Sequence, residues 1–120
     1  MTTEPNTNNP FVAYAGAPGI IAELCWVARQ TNRCARAGLS REFWLRKAAL
    51  FDRIAVKGTA MYVPELAAET VGTAIQVARR LVKYDAENSG LSLKGAELVT
   101  GEDCREYVRH QYHEWLHAQH

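Results

Sequence analysis

All four histidines of the chain, His110, His113, His117 and His120, fall in its last eleven residues. At about 100° per residue the spacing H-x-x-H-x-x-x-H-x-x-H returns to one face of an α-helix. Asp103 and Glu106 prolong that stripe toward the helix start. Imidazoles three or four residues apart have Cβ atoms about 5–6 Å apart and can share one ion of zinc or nickel. His113 and His117 form the i, i+4 pair of helical zinc sites. One straight helix does not complete a tetrahedral site, so a second helix or chain must supply the remaining ligands. No other segment carries a histidine, and the Glu-x-x-His pairs of di-iron bundles are present only as fragments. On a helical wheel Val108, Tyr112, Trp115 and Leu116 lie opposite the imidazoles. The stripe therefore reads as a solvated face, with metal binding through His110, His113, His117 and His120 as the alternative and no cofactor as the first expectation.

A second constellation lies in the first half. Trp26, Arg29 and Arg33 share a polar face with Arg36, and Arg46, Arg53 and Lys57 share another on the next helix. Arginine and tryptophan stack on bases and on partner proteins alike. No helix-turn-helix, zinc finger or RNP pattern accompanies them, so a nucleic-acid partner ranks below a protein one. Cys25 and Cys34 fall on or beside an apolar stripe and read as core thiols. The chain has no G-x-S-x-G, P-loop or G-x-G-x-x-G. The expectation is a non-enzymatic protein.

These residues need helices to position them. Of 120 residues, 48% are hydrophobic and 22% charged, which is the composition of a folded globule. The net charge of +1 gives no general pull toward nucleic acid or an anionic surface. The charge is split: residues 1–57 carry eight Lys/Arg against four Asp/Glu, and residues 58–120 carry six against nine. Three cysteines, an odd count, suit a reducing cytosol. Residues 1–10 (MTTEPNTNNP) show no basic start and no apolar run, so neither a leader nor a membrane span is expected.

Residues 1–17 read as a flexible arm, with Phe11 and Tyr14 as its apolar anchors, and residues 18–120 as one helical domain. Pro18 opens the first helix, whose apolar face is Ile20, Ile21, Leu24, Cys25, Val27, Ala28 and Thr31; Gly38 closes it. Ser40 caps a second helix that Gly58 stops. Pro64 opens a third, with apolar residues around half its circumference from Leu66 to Tyr84, the breadth of a central helix. Asn88–Thr100 reads as a loop. Thr100 and Asp103 make a capping box for the last helix. Four helices with short connections predict an all-α protein, a four-helix bundle or a close variant.

Three segments, FWLRKAALFDRIAV (43–56), AAETVGTAIQVARRLVKYD (67–85) and REYVRHQYHEWL (105–116), resemble short helical proteins of unassigned function from high-GC actinobacteria. The resemblance covers most of residues 41–118. It implies a cytoplasmic helical protein and carries no activity. Together these readings predict a small cytoplasmic interaction or regulatory module that binds another protein or itself. Its expected contact residues are Phe11, Tyr14, Trp26, Arg29 and Arg33.

Overall fold

A computed structural model describes residues 6–33, 39–61, 63–89 and 100–119. The chain is all-helical there, with no strand among the described residues. Five helices follow in order: α1 (Pro10–Ala13), α2 (Ile20–Arg33), α3 (Arg41–Met61), α4 (Pro64–Ser89) and α5 (Gly101–Ala118). No helix among the described residues is long and apolar enough to cross a membrane.

The helix ends follow local chemistry. The Ser40 hydroxyl accepts from the Phe43 amide at 3.3 Å and starts α3. Pro64 starts α4, where its missing N–H costs nothing. At α5 the Thr100 hydroxyl accepts from Asp103 N at 3.0 Å, and the Asp103 carboxylate accepts from Thr100 N at 3.1 Å. The predicted capping box is present in full. Gly101 lets the start of α5 close on α4, since a Cβ there would stand 2.7 Å from Ile75 Cδ1.

Gly58 does not stop α3. It lies buried inside the helix, which continues to Met61. A glycine ends a helix by turning into the left-handed region, and among the described residues only Gly16 does so, at φ 84°. The loop expected from Asn88 starts later, because α4 runs to Ser89; most of it lies outside the described residues.

The central element is α3 and not α4. It packs on α2, α4 and α5, while α2 rests chiefly on α3. On α4 the buried positions are Ala74, Ala78, Leu81 and Asp85, a narrow stripe, and Leu66 is exposed. The wide apolar arc of α4 is thus only half used. The main core joins Leu45, Ala48 and Ala49 of α3 to Ala78 and Leu81 of α4 and to Val108, Tyr112 and Leu116 of α5.

Residues 6–17 meet the bundle at several points. Asn9 caps α1 by accepting from Phe11 N, and Ala13 is fully buried. Arg109 donates to the carbonyl of Asn8 at 2.9 Å, and the Tyr14 hydroxyl donates to Asp52 at 2.6 Å.

Candidate interaction surface

The sequence of α2 places Ile21, Leu24, Cys25 and Ala28 on one stripe, and the structure turns that stripe outward. Ile21 is 72% exposed, Leu24 is 47% exposed, and Cys25 and Ala28 are exposed as well. The face laid on α3 instead carries Glu23 and Val27, both buried, with Ile20, Trp26 and Gln30 half-buried. Two interactions contribute to the roll. Arg46 of α3 clasps the Glu23 carboxylate with both Nε and Nη2. The same guanidinium lies over the Trp26 ring, 3.6 Å from its centroid, and 5.3 Å from that of Trp115. The bidentate ion pair, the cation–π contact and the packing of Val27, Ile20 and Trp26 against Phe43 and Leu50 together hold this face inward.

The result is an apolar patch on the outside. Phe11 of α1, 81% exposed, stands beside Ile21 at one end of it. Arg29 and Arg33 are exposed on the flank of α2, and Glu23, the one carboxylate of α2, is buried. The patch is therefore apolar with a purely basic rim along α2.

Between α1, the start of α2 and α3 the surface opens into a cavity of about 490 Å³. Its walls are mainly apolar, from Phe11, Ile20, Ile21 and Val56, with Arg53 and Lys57 along one side.

Among the described residues three carboxylates lie in the interior, each on a different helix and each held from a neighbouring one. Asp52, 1% exposed, accepts from Arg105 Nε at 2.6 Å, from Arg109 Nε at 2.7 Å and from the Tyr14 hydroxyl. Asp85 accepts from Arg41 at 2.7 and 2.9 Å and from the Tyr107 hydroxyl at 2.5 Å. Glu23 has Arg46. The hydrogen bond to Asp85 lifts the pKa of Arg41. Burial works against the charge of Arg46 and Arg109, but their hydrogen bonds to Glu23, Glu42 and Asp52 outweigh it and lift theirs too. Burial and the adjacent carboxylate push Tyr14 well above the usual phenol range. Groups held so firmly in one protonation state suit interlocking of helices better than proton transfer.

These positions were missed in the sequence, and the signal was there. Glu23 falls in step with Ile20 and Val27, Asp52 among Ala48, Ala49 and Ala55, and Asp85 four residues after Leu81. Arg105 and Arg109 share the face of Val108, Tyr112 and Leu116. A carboxylate on one core stripe with arginines on another predicts a buried pair.

The histidines divide. His110 is exposed, with Nε2 3.2 Å from Glu114 and Nδ1 3.3 Å from the Thr7 hydroxyl. His113 is half-buried and its Nδ1 is buried without a hydrogen-bond partner. His117 is exposed, its ring centroid 4.2 Å from that of His113. His120 lies outside the described residues. Taken as a run, His113–His117 is His-Glu-Trp-Leu-His, an H-E-x-x-H match missed when only histidine spacing is counted. In metalloproteases that Glu serves as the general base beside the zinc. Here Glu114 is largely exposed and pairs with His110. Among the described residues no group of three or more His, Cys, Asp or Glu could hold a metal ion.

The remaining expected contact residues separate. Phe11, Arg29 and Arg33 are exposed; Tyr14 is spent on Asp52, and Trp26 is covered on one face by Arg46. Arg46 is thus a structural arginine and not part of a solvated basic face. Cys25 is exposed where a core thiol was expected, because α2 is rolled; Cys34 lies outside the described residues. Cys104 is buried, and burial raises its thiol pKa.

Comparison with protein-family models, with curated proteins and with solved structures gives no match for this chain.

Proposed function

We propose that the protein is a non-enzymatic interaction module, a close variant of a four-helix bundle working in a reducing cytosol. Its docking face is the outer stripe of α2 with Phe11 beside it. The observation that carries this reading is the roll of α2, which leaves Ile21, Leu24, Cys25 and Ala28 outside although their spacing is that of a buried face. Contiguous exposed apolar surface with a polar rim is the mark of a protein contact. The basic rim selects the occupant. A second copy would bring arginine to arginine, whereas an amphipathic helix with acidic flanks would complement Arg29 and Arg33. The partner is therefore a helix of another protein, with apolar residues at i, i+3, i+4 and i+7.

A benzophenone side chain placed at Leu24 in cells expressing the protein tests this. The expected result is one dominant crosslinked protein, joined through an amphipathic segment with Asp or Glu flanks and lost when Ala28→Glu is added. Crosslinks only within the chain or between copies of it would sink the reading.

One observation favours a second reading, transition-metal binding at the end of α5: the paired rings of His113 and His117 within an H-E-x-x-H run. Calorimetry with Zn²⁺ or Ni²⁺ on wild type and on the His113→Ala/His117→Ala variant decides it. Micromolar binding lost in the variant supports a metal site, and no heat in either protein removes it.

A further inference from the structure

Five arginines are buried or half-buried among the described residues: Arg41, Arg46, Arg53, Arg105 and Arg109. Four are clasped by interior carboxylates, namely Asp85, Glu23 and, for the last two, Asp52. Arg53 is the exception. Its Nη1 is buried with no hydrogen-bond partner, and the Tyr14 ring lies 5.9 Å from its guanidinium carbon. A buried N–H donor left without an acceptor is costly, and proteins pair such groups. The carboxylates that enter this part of the interior are already taken: Glu23 by Arg46, and Asp52 by Arg105, Arg109 and Tyr14.

Arg53 lines the cavity between α1, α2 and α3, and Lys57 stands one turn further along the same wall. Among the described residues no acidic one lines that cavity. Its volume, about 490 Å³, is that of a small-molecule site and too small for a folded segment. Apolar walls with convergent cations on one side specify an apolar body and one negative end.

We propose that this cavity binds a small amphipathic carboxylate, with its chain against Phe11, Ile20, Ile21 and Val56 and its head on Arg53, with Lys57 nearby. The planar guanidinium suits a carboxylate, which can take two parallel N–H···O bonds from it. The bound acid gives Arg53 the counter-charge that the other interior arginines receive from the chain itself. The site shares Phe11 and Ile21 with the docking face of α2, whereas Leu24 and Ala28 do not line the cavity.

Isothermal calorimetry of the full chain with octanoate, against 1-octanol as the uncharged control, tests the proposal. Octanoate is expected to bind one to one and at least about tenfold tighter than octanol, the worth of a charge-assisted hydrogen bond. Arg53→Gln should bring octanoate down to the octanol level. Arg53→Lys should keep most of the preference, which separates loss of charge from loss of fold, and Arg79→Gln, on the exposed side of α4, should change nothing. Gly19 gives a second handle: it lines the cavity and a Cβ there meets nothing within 4 Å, so Gly19→Leu should block binding while the thermal midpoint holds. No binding of octanoate to folded wild type would overturn the proposal. So would equal affinity for octanoate and octanol, or octanoate affinity indifferent to Arg53→Gln. A cavity that receives a partner's acidic side chain would give the first of these results.

Discussion

The two sides of α3 bury charge in different company. Toward α5, the Asp52 carboxylate and its two arginines share a face with Val108, Tyr112 and Leu116, so ion pair and apolar core reinforce one another. Toward α2, the pair of Glu23 and Arg46 shares the contact face with Ile20, Trp26 and Val27, and Ile21 and Leu24 are left outside. Full burial of a side chain of that size is worth about 1.5–3 kcal/mol. The α2 side thus forgoes apolar stabilisation that the α5 side collects. What separates them is register: on α5 the charged and apolar residues fall on one stripe, and on α2 Ile20 and Val27 fall with Glu23 while Ile21, Leu24, Cys25 and Ala28 fall on the other side.

The sharpest way to break this comparison is to remove the carboxylate on which two arginines and a tyrosine converge. Asp52→Ala leaves two buried guanidiniums with only the largely exposed Glu102, 3.4 and 3.5 Å away, and losing the main partner of a buried pair costs about 3–5 kcal/mol. Glu42→Ala removes a largely exposed carboxylate from Arg46, 2.8 Å away, and should cost well under about 1 kcal/mol. Urea unfolding of both variants measures the gap. Equal shifts would mean that the Asp52 cluster does not hold α3 to α5 and α1.

The fold class was legible because apolar spacing marks helices whichever way they face. The caps at Ser40, Pro64 and Thr100 were legible because capping is local chemistry. The orientation of α2 was not, since it depends on a cation brought by another helix 23 residues away, from Glu23 to Arg46. The same limit hid the cavity: Arg53 looks like any surface arginine until the interior acids prove to be occupied. At the histidines the periodic stripe was legible, and so was the H-E-x-x-H run within it, because Glu114 and His117 stand one and four residues after His113.

A matched pair of truncations sharpens the contrast with chemistry held constant. Leu45→Ala empties a fully buried site on α3 and should cost about 2–5 kcal/mol, the cavity term included. Leu24→Ala, on the outer stripe of α2, should stay within about 0.5 kcal/mol in the isolated protein. Thermal or urea unfolding reads both. A large loss at Leu24 would place that side chain in an intramolecular core and remove the docking face with it.

A neutral or opposite effect is expected at Tyr112, where the two sides meet. Its ring is buried, 5.5 Å from those of Tyr14 and Trp115, yet its hydroxyl has no hydrogen-bond partner. Burial, with a contribution from Glu23, pushes its pKa up to about 12. The unfolded chain titrates near pH 10. Below that value the phenol is protonated in both states and adds no pH dependence. Between pH 10 and 12 the unfolded chain gives up a proton that the folded protein retains, so stability falls as pH rises, by about 2 kcal/mol or less. Tyr112→Phe removes the unsatisfied hydroxyl and the titration together. At pH 8 it should be neutral or stabilising by about 1 kcal/mol, and above pH 10 the gain should widen. Urea midpoints at pH 8 and pH 10.5 measure both. A variant less stable than wild type at pH 8 would show that the hydroxyl has found a partner, and the meeting point of the two regions would then be bonded and not merely packed.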